Sequence, residues 1–283
     1  MASEVAVSVV IPAHDAHATI ARAVATLLAQ TRPDWEAIVV CDDGTDYAAP
    51  LAAAGLADPR IRHVSSGGIA TGCARARNAA LPRARGRFLT RLDADDEWLP
   101  ERLARLLPLA EAHGAAVDMA AVVDEATGAE IRRTRLPPGT VFAEAAVLAL
   151  VHAPLAPLVA RDRAPPWFAE ADIAEDVLHL FAVEDRFGPL AVVDEALWRY
   201  RVRPGSMCHG SDAAARAEAS YAAIDHRLAT RDLPPLSPEA CDRARPAFAA
   251  KRAFNRRFGD AFAAGRAPDF QRFCAGCEAE PTP

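Results

Sequence analysis

Apolar residues in the first hundred positions come in short dense runs, and the segments between them follow a different rhythm. Residues 5–11 form a nearly continuous β-branched run, the pattern of a strand buried on both faces, and Pro12 is expected to end it. Residues 18–30 place Ile20, Val24, Leu27 and Leu28 at helical spacing and predict a helix closed before Pro33. Trp35–Cys41 predicts a second buried strand, 51–56 a short helix and Ile61–Ser65 a third strand. An Ala- and Arg-rich helix through Arg75, Arg77 and Asn78 then leads to a fourth strand over 88–92. Strands alternating with helices predict an α/β fold with a mostly parallel, doubly wound sheet and helices on both faces.

The second half is less regular. Residues 99–113 read as an amphipathic helix with Pro100 in its first turn, the favoured place for proline. Strands are expected over 115–123, with 131–135 pairing onto it, over 157–162, and from Leu197 toward Ser206. From Asp212 the pattern is helical, broken by Leu233-Pro234-Pro235-Leu236-Ser237-Pro238, which predicts a C-terminal helical extension. Three units follow: 1–98, 99–210 and 211–283.

Hydrophobic residues at 51% and charged residues at 25% are ordinary for a globular protein. A net charge of -6 argues against a nucleic-acid partner, which needs a basic face. No stretch approaches the ~20 apolar residues of a membrane-spanning helix, and 5–11 is too short for a signal segment, so a cytoplasmic location is expected. Residues 248–262 interleave Phe248, Phe254, Phe258 and Phe262 with Lys251, Arg252, Arg256 and Arg257. Such a helix either packs its aromatics on the main domain or rests on an anionic membrane surface. Cys274 and Cys277 form a lone C-x-x-C without the second pair that a zinc site needs.

Chemistry concentrates where strands end. The second strand runs into Asp42-Asp43-Gly44-Thr45 and the fourth into Asp93-Ala94-Asp95-Asp96. Ligands of open α/β sheets bind at the carboxyl ends of strands, so Asp42, Asp43, Asp93, Asp95 and Asp96 are expected to face one crevice. Asp93 and Asp95 are hard oxygen donors one residue apart, suited to a divalent cation that takes its other ligands from phosphates. The glycines from Gly67 to Gly72 match neither dinucleotide nor P-loop patterns, and the only lysine is Lys251. A P-loop enzyme is thereby excluded, and so is a D-x-D phosphatase with its downstream lysine. Glu175-Asp176 opens a predicted helix, where acids either answer the macrodipole or do chemistry.

Taken in order, Val7-Ser8-Val9-Val10-Ile11-Pro12, Gln30-Thr31, Asp42-Asp43-Gly44-Thr45, Ala76-Arg77-Asn78 and Asp93-Ala94-Asp95-Asp96 resemble glycosyltransferase family 2. The resemblance implies a GT-A fold, a nucleotide-sugar donor (a UDP-sugar), a saccharide or other hydroxyl acceptor, Mg²⁺ or Mn²⁺, and inversion at the anomeric carbon. Residues 1–98 would be the nucleotide-sugar-binding half, and 99–210 the acceptor-binding half of the same domain. It implies that Pro12 and Asp15 lie along the nucleoside, that Asp43 accepts from the base, and that Arg77, with Arg75 as the alternative, reaches the nucleotide. Asp93 would serve ribose and metal, and Asp95 would ligate the metal. Glu175-Asp176 resembles the family's E-D motif, which makes Asp176 the general base; Val177 and Ala182 depart from the aromatic and arginine that often follow. Leu197 to Ser206 resembles the closing strand and loop, with Arg201 and Arg203 as holders of the diphosphate and His209 as either another or a plain loop residue. A binding protein on a degenerate transferase scaffold is the rival reading; it would be expected to lose either the metal acid or the base, and this sequence keeps both.

Overall fold

The structure is a computed structural model and describes residues 4–203, 210 and 212–279. Pro204, Gly205, Ser206 and His209 of the expected closing loop lie outside the described residues. The first half reads β1 (Val7–Ala13), α1 (Ile20–Leu28), β2 (Trp35–Cys41), α2 (Ala48–Ala53), β3 (Ile61–Ser65), α3 (Cys73–Ala80) and β4 (Phe88–Arg91). There follow β5 (Glu97–Trp98), α4 (Arg102–His113), β6 (Ala115–Asp124), β7 (Glu130–Arg133), β8 (Phe142–Ala143), α5 (Ala145–Ala149) and β9 (Leu158–Ala160). The chain continues through α6 (Glu175–Phe187), β10 (Leu190–Val202), α7 (Ala213–Thr230), α8 (Pro238–Ala263) and α9 (Phe270–Ala279).

Among the described residues the strands form one sheet in the order β3-β2-β1-β4-β9-β6-β10-β5, with β7 beside β6 and β8 beside β10. The ladders β2–β3, β1–β2, β1–β4 and β6–β10 are parallel and hold most of the pairing. Each antiparallel ladder is only two or three residue pairs long. The α/β expectation therefore holds, with helices on the sheet and a C-terminal group of three.

Local chemistry explains where the elements sit. Val7, Val9, Val10 and Ile11 are all buried, as a central parallel strand requires. Contrary to expectation Pro12 does not end β1, which pairs with β2 through Ala13. The β4 ladder stops at Val10, whose carbonyl accepts from Leu92, so the N–H that Pro12 lacks would face a side from which β4 has already departed. Gly86 sets the start of β4: a Cβ there would lie 2.5 Å from the Ser8 nitrogen. Ile20, Ala23, Val24 and Leu27 form the buried stripe of α1.

A second correction concerns α4, which begins at Arg102 and leaves Pro100 outside its first turn. The Leu99 N–H donates to the Leu197 carbonyl, which commits that residue to β10 instead. In the extension, Phe248 and Phe258 are buried, and Phe254 stacks on His152 at 4.0 Å between ring centroids. Arg252 and Arg256 both reach Glu218, and the Lys251 ammonium donates to the Ala149 carbonyl at 3.0 Å. The aromatics of 248–262 are thus turned toward the protein. Among the described residues no helix is long and apolar enough to cross a membrane.

Candidate active site

The carboxyl ends of β1, β2 and β4 open into a cleft of about 520 Å³. Its walls include Pro12, His14, Asp42, Gly72, Cys73, Arg77, Asp93, Asp95, Asp96, Arg201 and Arg203. Four of the five acids expected in one crevice are therefore there; Asp43 is not part of the wall, and neither is Asp15. A second, more apolar cavity of about 420 Å³ lies between residues 166–172 and α7, and Asp172 borders both.

The paired acids after β2 divide their work. Asp42 accepts from the Thr71 N–H (3.1 Å), the Thr71 hydroxyl (2.5 Å) and the Gly72 N–H (3.0 Å), so it closes the glycine-containing turn onto the sheet. Asp43 accepts from the Asp15 N–H (2.8 Å), the Thr45 N–H (2.9 Å) and the Tyr47 hydroxyl (2.5 Å). Burial raises its pKa, yet these donors, led by Tyr47, outweigh that and hold it well below the usual carboxylate range. Asp15 takes part through its backbone, at φ +48°.

The turn after β4 holds three acids in three different states. Asp93 is gripped on both oxygens, by Arg77 at 2.8 Å and by Arg91. Burial pushes Asp93 up, but the two guanidiniums prevail and bring it down to about 2. Among the described residues the Asp95 carboxylate pairs with one looser cation, Arg203 at 3.4 Å, while Arg22 donates to the Asp95 backbone carbonyl at 3.0 Å; burial followed by the Asp93 charge raises the carboxylate's pKa. Asp96 is fully buried and accepts from the Trp198 indole (2.8 Å) and the Arg201 N–H (2.9 Å), locking β10 to the turn. Its burial, then the charges of Asp95 and Asp93, push it well above an ordinary carboxylate.

The Glu175-Asp176 pair sits at the start of α6, on the far side of the same cluster. Glu175 is buried and accepts from Arg77 (2.6 Å) and from the Cys73 thiol (3.3 Å). Burial and the adjacent charge push that thiol up to about 12, so it stays a donor. Asp176 has one loose contact, 3.7 Å from Arg91, and burial followed by Glu175 raises its pKa. Ala174, which precedes the pair, holds φ +70°, a left-handed conformation costing roughly 1–2 kcal/mol in a residue with a Cβ.

Arg201 and Arg203 were expected to act alike, and they do not. Arg201 is committed to Glu97 (2.6 Å) and Glu125 (3.2 Å), and Arg22 on α1 joins the same two acids at 3.0 and 2.8 Å. Arg203 alone points its charge toward Asp95. Sequence reasoning missed Arg91 and Arg22. A charged residue in a short strand reads as its solvent face, and Arg91 betrays itself only in lying on a strand with both faces buried.

Among the described residues no group of three or more histidine, cysteine or acid side chains could by itself hold a metal ion. Asp95, partly open to the cleft and lacking a close cation, is the side chain suited to share one with a ligand's own oxygens. Asp93 already carries a guanidinium on each oxygen.

Known proteins bear on this geometry. Among curated relatives, the UDP-Glc:alpha-D-GlcNAc-diphosphoundecaprenol beta-1,3-glucosyltransferase WfgD of Escherichia coli is 37% identical over 97 residues, 34% of this chain and 38% of that one. The succinoglycan biosynthesis protein ExoO of Rhizobium meliloti (strain 1021) is 39% identical over 111 residues, 39% of this chain and 31% of that one. The chain thus spans less than two fifths of either relative. Crystallised S. aureus TarS 1-349 superposes with a TM-score of 0.66 at 18% identity, over 91% of this chain and 74% of that one, which shows a shared GT-A-like fold. Residues 8–153, just over half of the 283, match the profile of glycosyl transferase family 2. With that match and the cleft described above, the chain belongs to glycosyl transferase family 2.

Proposed function

We propose that the cleft transfers a sugar from a UDP-sugar to a hydroxyl acceptor, with inversion at the anomeric carbon and Asp176 as the general base. One observation carries the reading. A line of ion pairs, Glu175–Arg77–Asp93–Arg91–Asp176, joins the acidic turn after β4 to the first turn of α6; Asp176 at its end and Asp95 beside it have the longest pairings, at 3.7 and 3.4 Å. Such a division suits a reaction that needs charge stabilised at a leaving diphosphate and a proton removed from an attacking hydroxyl. The related WfgD is named for a UDP-Glc donor, and TarS 1-349 was crystallised with UDP-GlcNAc, which favours a uridine donor here.

In this reading Pro12 and Asp15 border the nucleoside, and Asp43 keeps acceptor capacity on Oδ1 for a base N–H. Arg77 fixes Asp93 beside the ribose. Arg203 faces the diphosphate, and Arg201, held by Glu97 and Glu125, lines the same cleft. Asp95 would hold Mg²⁺ or Mn²⁺, with Asp93 behind it, and the ion when bound would offset charge on the departing diphosphate. Asp176 takes the proton from the acceptor hydroxyl; burial and the adjacent Glu175 raise its pKa, which makes its carboxylate a stronger base than an ordinary aspartate's.

The test is single-turnover transfer from a panel of nucleotide sugars, with donor affinity measured alongside. Asp176→Asn should lower transfer by about 10²–10⁴-fold, the usual worth of general-base catalysis, with UDP affinity within about twofold of wild type. Full transfer by that variant, or loss only in Glu175→Gln, would move the base or remove the reaction class.

A further inference from the structure

We infer that Arg91 is a positioning residue of the transfer reaction, tying Asp176 to Asp93 so that the base is aimed by the same turn that faces the donor. This rests on the assignment of Asp176 as base. Arg91 is the last residue of β4 and is 3% exposed. One terminal nitrogen donates to Asp93 Oδ2; the other donates to the Leu155 carbonyl at 3.3 Å and lies 3.7 Å from Asp176 Oδ2. The Trp198 ring sits 5.2 Å beneath the guanidinium. Strand, loop, helix and ring thus converge on one side chain.

Packing alone does not call for a charge there. All four residues of β4 are buried, and an apolar side chain would fill the position without the cost of desolvating a guanidinium. What an arginine adds is its fork, which spans two carboxylates from different elements. Arg77 makes the parallel bridge from Asp93 to Glu175. Two guanidiniums therefore serve three carboxylates, and one negative charge remains. It falls to Asp176, whose single contact is the longest of the four. At 3.7 Å Arg91 is close enough to orient that carboxylate, and too far to hold it in a full hydrogen bond that an incoming proton would have to break.

The experiment is a double-mutant cycle read in single-turnover transfer and in UDP affinity, using Arg91→Met and Arg91→Lys in wild-type and Asp176→Asn backgrounds. With Asp176 present, Arg91→Met should slow transfer by at least tenfold, and Arg91→Lys should recover part of that. In Asp176→Asn the same change should cost less than about twofold, because a residue acting only through the base has nothing left to aim. Any loss of UDP affinity, through Asp93, should be equal in both backgrounds. An equal fall in transfer rate in both backgrounds would overturn the inference and leave Arg91 as a structural plug. If the methionine variant does not fold, the lysine cycle gives the same two outcomes. Should Asp176→Asn alone keep full transfer, the base reading falls and this inference with it, whereas a strong Asp176→Asn effect with additive Arg91 losses removes only the inference.

Discussion

Arg102 and Asp118 form the floor beneath this cluster, and substituting Arg102→Met tests how the floor is held. Both side chains are 0% exposed, and the pair is bidentate at 2.9 and 2.7 Å. A further bond runs from Arg102 to the Ala156 carbonyl at 2.7 Å, next to the Leu155 carbonyl that Arg91 uses. Burial already raises the Asp118 pKa against the pull of Arg102. Removing only the arginine strands a carboxylate in an apolar interior, which costs about 3–5 kcal/mol. Against a total stability of roughly 5–15 kcal/mol that is a large share, and it corresponds to a fall in Tm on the order of 10 °C. Arg102→Met with Asp118→Leu removes both charges in a site walled by Trp98 and Trp198, 4.2 and 5.7 Å from the guanidinium, and should regain most of the loss. Urea unfolding followed by tryptophan fluorescence gives the midpoint and slope for each variant. A single variant within about 1 kcal/mol of wild type, or a double variant no more stable than the single, would refute the argument.

Two other outcomes are expected. Because hydrogen bonds depress the folded Asp43 pKa below its unfolded value of about 3.9, its stabilisation is complete above that pH and is lost as pH falls through the folded value. The stability gap between wild type and Asp43→Asn should be flat between about pH 5 and 7 and narrow below about pH 4; a gap that widens toward acid would reverse the sign. Asp95→Ala should abolish the gain in UDP affinity brought by Mn²⁺ while leaving the melting temperature unlowered, since it removes a carboxylate that among the described residues pairs with Arg203 alone, at 3.4 Å. Calorimetry that finds no effect of metal on UDP binding to wild type would discard the cation reading.

Much of the fold could be read because its elements declare themselves. β2 is a largely apolar run bounded by acids, and its limits follow from composition. β5 and β8 are two residues long and exist because a neighbour pairs with them, so no local pattern could announce them. Pro12 and Pro100 misled for the same reason: whether a proline stops an element depends on which side its missing N–H would face and what already claims its neighbours. Ala174 gives no sign of its left-handed backbone, because the residue that usually marks such a position, glycine, is absent.

The site divides along a similar line. Acids at strand ends could be found one by one, but the chemistry depends on which of them an arginine already holds. Asp93 and Asp95 look alike in sequence; two guanidiniums make the first a fixed anion and leave the second able to take a cation. Arg201 and Arg203 look alike, and Glu97 and Glu125, roughly 75 to 105 residues away along the chain, hold Arg201 while Arg203 turns to Asp95. Glu175 and Asp176 are adjacent acids at a helix start, and Arg77 decides between them from 98 positions away by engaging Glu175. A general base must be ionised, reachable and uncommitted. In the proposed reading Asp176 is that base because Glu175 and Asp93 are gripped by guanidiniums and Asp96 by an indole and a backbone N–H, while Asp95 is left for the cation.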